Sequence, residues 1–157
     1  MIQRIQSIWL LLSGISLFGL FLFPYLMYSN PVGLGKSIYV TGVFSSLNNV
    51  ETKESSFLLL TIATVVLALI PILIIFFFKD RKLQLKLILL QVILVCLLAV
   101  GMWFSASSIW DMNNEDIKVS NIGVGYFILP ISILFLSFAI RGIRNDEKLI
   151  KSADRLR

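Results

Sequence analysis

Four long apolar stretches constrain this chain more than any other feature. They run over residues 8–28, 57–78, 83–104 and 122–140, and the first three contain no Asp, Glu or Arg. The one charge within them is Lys86, near the start of the third stretch, where its long stem can reach the membrane surface. About 20 helical residues cross a hydrocarbon layer about 30 Å thick. The pattern therefore predicts four membrane-spanning helices.

Composition supports a membrane protein over a soluble one. The 157 residues are 57% hydrophobic and 15% charged, whereas soluble domains are about 45–50% apolar and about 25% charged. The tight turn between the second and third stretches makes those helices antiparallel neighbours. We therefore predict an all-α integral membrane fold, an antiparallel four-helix transmembrane bundle, in a single membrane domain over residues 1–157.

The distribution of charge predicts the orientation. Both termini, the short KDRK turn at residues 79–82 and the adjacent Lys86 carry eleven basic and four acidic residues. The two remaining segments, 29–56 and 105–121, carry three basic and five acidic residues. Basic segments stay in the cytoplasm. We therefore expect a multi-pass membrane protein with both termini cytoplasmic and with lipid, not nucleic acid, as its surroundings.

The two outward segments differ in character. In the first, residues 38–44 are rich in β-branched and aromatic residues, which predicts a short strand or hairpin and partial order. The second is a polar loop containing Asp111, Glu115 and Asp116, which we interpret as a solvated acidic loop. Neither segment has a phosphate-binding glycine pattern or clustered metal ligands. We expect no cofactor and no metal.

The residues that usually carry catalysis are scarce. The chain has no histidine, and its single cysteine, Cys96, lies within an apolar stretch. Asp80, Asp146 and Glu147 are the candidates for chemistry at the inner surface, and charge balance explains them more simply. We predict that the protein is not an enzyme and has no catalytic residues.

Among the polar side chains within the apolar stretches, Gln91 costs the most free energy to bury, because its amide needs hydrogen-bond partners. One interpretation is a contact with a transported substrate or ion. The other is a hydrogen bond to a neighbouring helix, with Ser13 or Thr64 as the partner. The second interpretation is favoured.

The C-terminal segment has a regular charge pattern. Its basic residues are spaced three, four, three and four apart, which places them within an arc of about 80° on a helix. Apolar residues fall on the opposite side, where Asp146 is the exception. The pattern predicts that the fourth span continues as an amphipathic cytoplasmic helix. Its basic residues are Arg141, Arg144, Lys148, Lys151 and Arg155, and its apolar residues include Leu149, Ile150 and Leu156.

Three interpretations of this helix stay open. It can lie on the inner leaflet with basic residues at anionic headgroups. It can dock on a protein partner as a helix in a groove. It can also serve only to set the topology. The regular pattern continues two to three turns beyond the span, farther than a topology signal requires, which favours the partner.

Several segments carry a resemblance to a known family. The opening MIQRIQSIWLLL, the FKDRKLQ turn and the closing DEKLIKSADRLR resemble an uncharacterised family of small four-span membrane proteins of the Bacteroidota, a domain of unknown function. The resemblance covers the whole chain. It implies an inner-membrane location and brings no activity, cofactor or catalytic residue.

Two functions follow as expectations. The first is a non-enzymatic accessory or scaffolding subunit of a larger membrane assembly, docking a protein partner through the C-terminal basic helix. The alternative is a small oligomeric transporter or channel with a polar track around Gln91. An enzyme acting on lipid at the inner surface is the least supported. The sequence leaves the oligomeric state open.

Overall fold

A computed structural model of the chain describes residues 3–29, 35–47, 50–78, 80–113 and 121–154. These residues form four α-helices, one 3-10 helix and four strands. In chain order they are α1 (Gln3–Phe18), the 3-10 helix (Gly19–Phe21), β1 (Leu26–Ser29), β2 (Gly35–Tyr39), β3 (Gly42–Leu47), β4 (Val50–Ser56), α2 (Leu58–Phe76), α3 (Arg81–Asn113) and α4 (Val124–Asp154).

The prediction of an all-α fold is wrong. Between α1 and α2 the chain forms a four-stranded antiparallel sheet in the order β1-β2-β3-β4. The β2–β3 hairpin covers residues 38–44, where the sequence predicted a strand or hairpin. Ile38 and Val43 pair across it and are buried in the same hydrophobic core as the helices. The sheet is therefore part of the core of the fold, not a loop that follows it.

The first apolar stretch is divided between a helix and the sheet. Residues 8–28 were predicted as one span, but helical structure ends at Phe21 and β1 begins at Leu26. Pro24 explains the break, because proline disfavours helical geometry at the preceding residue and lacks an N–H. Tyr25 and Leu26 continue the apolar stretch because both are buried in the core that the helices and the sheet share.

Backbone hydrogen bonds tie the sheet to the start of α4. The Gly123 N–H donates to the Tyr25 carbonyl at 2.9 Å, and the Gly125 N–H donates to the Pro24 carbonyl at the same distance. A Cβ on Gly123 would collide with the Pro24 carbonyl oxygen, so this close approach requires glycine. At the turn between β2 and β3, Thr61 of α2 donates its hydroxyl to the Val40 carbonyl. These bonds fix the sheet at one end of the helices.

The helices contact one another in a closed order. α1 packs against α2 and α4, and α3 packs against the same two helices. A second core cluster lies at the end away from the sheet, where Leu10, Ile74, Ile88 and Ile143 bring one residue from each helix. We call this the distal end, and the other the sheet end.

Two helices are longer than the predicted spans, at opposite ends. α3 continues from the predicted limit at residue 104 to Asn113, beside the sheet. The segment predicted as an outer loop is therefore helical up to that point, and Glu115 and Asp116 lie outside the described residues. α4 continues from residue 140 to Asp154 at the distal end. At 1.5 Å per residue, each helix is about 45–50 Å long, which exceeds a hydrocarbon layer of about 30 Å.

Candidate functional site

Asp146 joins the extended part of α4 to α1. The Gln6 side-chain amide donates a hydrogen bond to Asp146 Oδ2, and both side chains are buried. Gly142, one turn earlier on α4, leaves room for this contact, since a Cβ there would lie 2.9 Å from Gln6 Cγ. The acidic residue that interrupted the apolar face of the predicted helix is therefore a buried partner of another helix.

The distal end is closed by a layer of buried polar side chains. Gln6, Gln84 and Asp146 are each less than 10% exposed and lie about one turn beyond the apolar cluster that contains Leu10 and Ile88. The Gln84 amide donates to the Ile74 carbonyl at the end of α2, at 3.5 Å. Among the described residues, Asp146 Oδ1 has no hydrogen-bond partner. This layer marks the boundary between the apolar core and the polar end of the protein.

The basic side of α4 is exposed, as the sequence predicted. Arg141, Arg144 and Lys148 are exposed, whereas Ile143 and Asp146 on the other side are buried. The helical path of the segment is confirmed up to Asp154. Leu149, Ile150 and Lys151 lie in α4, but their side chains are outside what the structure describes, and so are Arg155 and Leu156 entirely.

Gln91 is fully buried in the middle of the helices. Its amide donates to the backbone carbonyl of Leu67 on α2 at 2.8 Å. That carbonyl would normally accept the N–H of residue 71, but residue 71 is proline and has none. Gln91 therefore supplies the donor that Pro71 lacks, while its Oε1 atom has no hydrogen-bond partner within the described part of the chain.

The predicted interhelical bond of Gln91 is thus present, but its predicted partners are wrong. Ser13 bonds instead to Ser132, hydroxyl to hydroxyl at 2.8 Å, linking α1 to α4. Thr64 donates to the Leu60 carbonyl of its own helix. The sequence did contain a signal for the actual partner. Pro71 has no N–H, so the carbonyl of Leu67, four residues earlier, lacks its usual helical donor.

The face of the sheet turned away from the helices carries an aromatic pair. Tyr39 and Phe44 meet edge to face with ring centroids 5.4 Å apart, and the Lys53 ammonium lies 5.9 Å from the Phe44 ring centroid. On the other face, Lys36 and Glu54 form an ion pair at 3.1 Å. The sequence indicated a strand here but gave no sign of this pairing, which depends on the register of three strands.

The described residues contain no cluster of three or more His, Cys, Asp or Glu side chains that could hold a metal ion. The pocket lined by Tyr25, Met102, Trp103 and Tyr126 is apolar and holds only about 30 Å³. The arrangement at the distal end can bind an acidic surface through exposed cations, and the arrangement around Gln91 can hold helices together.

The helices define the class of protein. Among the described residues, three helices are long and apolar enough to cross a membrane, at Leu58–Phe76, Arg81–Ser108 and Val124–Lys148, and a shorter apolar helix spans Ile5–Phe21. This is a membrane protein. Its sequence matches the model of the DUF4293 family, described as a domain of unknown function, over residues 2–156, and the chain belongs to that family. No curated protein and no solved structure matches it.

Proposed function

We propose that the protein is a non-enzymatic accessory or scaffolding subunit of a larger membrane assembly, which binds an acidic surface of a protein partner through the exposed side of distal α4. One observation carries the proposal. Beyond residue 140 one side of α4 is held on α1 through Ile143 and Asp146, so Arg141, Arg144 and Lys148 are presented on a fixed helix. A rigid row of cations favours recognition of complementary charge.

The proposal includes a location and a topology. We place the protein in the inner membrane of a bacterium of the Bacteroidota, with four crossings and with both termini in the cytoplasm. The fourth crossing is α1 with its 3-10 extension, which together cover Gln3–Phe21. Support comes from the resemblance of the chain ends and from the basic residues that flank the distal end, Lys82, Lys86, Arg141, Arg144 and Lys148.

The test reverses charge without disturbing the packed side of α4. Truncation after Asn145 would also remove Asp146 and leave Gln6 without its partner, so it is a poor experiment. The Arg144→Glu/Lys148→Glu double variant keeps that contact. A matched control is Lys82→Glu/Lys86→Glu, which reverses two exposed cations at the same end on α3.

Both variants and the natural protein are purified in mild detergent, and the associated proteins are identified by mass spectrometry. We expect one companion to be retained by the natural protein and the α3 control and to be lost from the α4 variant. If all three samples hold the same companions, or none, the partner proposal is wrong.

A second candidate function is the small transporter or channel. Its supporting observation is the Oε1 atom of Gln91, a fully buried acceptor with no partner among the described residues. Reconstituted vesicles in which Gln91→Leu abolishes solute movement would support this candidate. Unchanged permeability would leave Gln91 with the helix-joining bond alone.

A further inference from the structure

An apolar groove runs between α2 and α3. It encloses about 380 Å³ and is lined by Ala63, Val66, Leu67, Ile70, Leu94, Leu97 and Leu98. All seven side chains are aliphatic, and Val66 and Leu97 at its rim are exposed on the outer surface of helices that can cross a membrane. The groove therefore opens sideways toward the lipid chains.

Two hydrogen bonds set the register of the groove. Gln91 lies opposite Leu67, and Gln84 lies opposite Ile74, as expected for antiparallel helices. Ile70, at one end of the groove, therefore lies close to the level of residue 88 on α3. Lys86 lies only about 3 Å farther toward the distal end, at the rise of 1.5 Å per residue. The α2 end of the lining thus lies near the level of this lysine along the helix axes, whereas on α3 the lining starts at Leu94, about 12 Å farther from it.

Lys86 also lies on the side of α3 that borders the groove. It precedes Leu97 by eleven residues, which at 100° per residue returns to within about 20° of the same direction. The rise over those residues is about 16 Å. This length matches half of a hydrocarbon layer of about 30 Å, the depth of one leaflet. Lys86 is exposed, and so is Lys82, one turn before it.

We propose that this groove is a binding site for an anionic phospholipid of the leaflet at the distal end. The headgroup phosphate lies at the Lys86 ammonium, and an acyl chain follows the groove past Ile70 to Leu97. Lys86 lies toward the membrane surface and the apolar lining lies deeper, as the headgroup and the acyl chain of such a lipid do. The distance from Lys86 to Leu97 along the helix fits the depth of one leaflet. The site is independent of the partner surface on α4.

A helix from a second copy fits the groove less well. Close helix approach in membranes uses small residues on the contact side, and Ala63 is the one small residue of the lining. A second copy would also leave the Lys86 ammonium without an anionic partner that the structure can identify. The lipid accounts for both features.

The test measures lipid binding to the full-length, delipidated protein by native mass spectrometry. The probes are phosphatidylglycerol and phosphatidylcholine with identical acyl chains. Lys86→Gln removes the charge, and Ala63→Trp fills the groove, with Val66→Phe as a milder filler if the tryptophan prevents folding. Lys53→Gln is the matched charge control, at an exposed position on β4 outside the groove and outside the α4 surface. Leu89→Trp is the matched bulk control, on an exposed position of α3 that does not line the groove.

For the natural protein and both controls, we expect phosphatidylglycerol to bind about fivefold more tightly than phosphatidylcholine, the effect of one basic residue at a membrane surface. Lys86→Gln should make the two lipids equivalent, and the groove-filling variants should weaken both. The proposal is overturned if Lys86→Gln keeps the preference, or if a folded groove-filling variant binds both lipids as before. It is also overturned if filling the groove dissociates a dimer and leaves lipid binding unchanged.

Discussion

The α1–α4 pair and the α2–α3 pair show two ways of joining helices in one small protein. α1 and α4 are joined along their length by Gln6 with Asp146, by Ser13 with Ser132, and by Trp9, whose ring stacks on Phe135 at 5.9 Å. The contacts between α2 and α3 include two glutamine amides that bond to backbone carbonyls, and a groove of about 380 Å³ separates parts of the two helices.

The difference follows from the residues at each contact. α1 and α4 face each other with small or polar residues such as Gly142, Ser13 and Ser132, which allow close approach. The facing parts of α2 and α3 are mostly leucine, isoleucine and valine. These side chains can pack against a lipid chain as well as against the other helix. The closed pair therefore serves stability, and the open pair leaves a surface for a ligand.

The largest expected effect comes from breaking the closed pair at its distal end. Gln6→Leu should lower the free energy of unfolding by about 3 kcal/mol, because the buried Asp146 carboxylate would lose its described hydrogen-bond donor. Asp146→Asn keeps an acceptor for the Gln6 amide, so it should cost less than about 1 kcal/mol. Denaturation in detergent measures both. Equal losses would contradict the role given to this contact.

The open pair is broken most directly at Gln91. Gln91→Leu should cost about 1–2 kcal/mol, because the Leu67 carbonyl would be left without a donor. Pro71→Ala restores a backbone N–H four residues after Leu67, so in that background Gln91→Leu should cost much less. The four proteins form a double-mutant cycle of unfolding free energies. The same loss in both backgrounds would show that Gln91 does not compensate for the proline.

A smaller effect is expected at the middle of the closed pair. Ser13→Ala and Ser132→Ala should each cost about 0.6 kcal/mol, the average for such bonds between membrane helices. The double variant should cost little more than either alone, since both remove one bond. Ser137→Ala is the control, because its hydroxyl bonds to its own helix at Ile133. Additive losses would indicate that the two serines act separately.

The smallest effect on stability is expected at Tyr25, which is buried in the core next to the sheet and belongs to neither helix pair. Burial raises the pKa of its phenol above the ordinary value of about 10. Its hydroxyl has no hydrogen-bond partner among the described residues, so Tyr25→Phe should change stability by less than about 0.5 kcal/mol at pH 7.

As the pH rises above about 10, the unfolded phenol ionises while the folded one stays neutral. The natural protein should therefore lose stability relative to Tyr25→Phe above that pH and not below it. Parallel stability curves from pH 7 to 11 for the two proteins would contradict the burial of this hydroxyl.

Local patterns in the sequence were sufficient for α2 and for the extension of α4. Runs of leucine and isoleucine predicted α2, and the regular spacing of Arg141, Arg144 and Lys148 predicted the extension of α4 and its exposed side. Both are short-range properties, since a helix repeats every 3.6 residues. The β2–β3 hairpin was also visible in the β-branched and aromatic residues at 38–44.

Features that depend on distant residues could not be predicted in this way. Leu26 ends an apolar run that resembles a membrane span, and its place in the sheet depends on pairing with Ile38 and on the bridge to Ile122. Asp146 is an acidic residue on the otherwise apolar side of α4. Its hydrogen bond with Gln6, which lies 140 residues away along the chain, explains its position. Hydropathy alone does not distinguish burial in lipid from burial in protein.

In the proposed topology, the sheet and the extended end of α4 lie on opposite sides of the membrane, with α4 in the cytoplasm. The direct measurement is thiol labelling of single cysteines in a Cys96→Ser protein, at the exposed positions Lys53 and Lys148. A membrane-impermeant reagent applied to intact cells without their outer membrane should label Lys53→Cys, and should label Lys148→Cys only after lysis. Labelling of both positions before lysis, or of Lys148→Cys alone, would contradict the account.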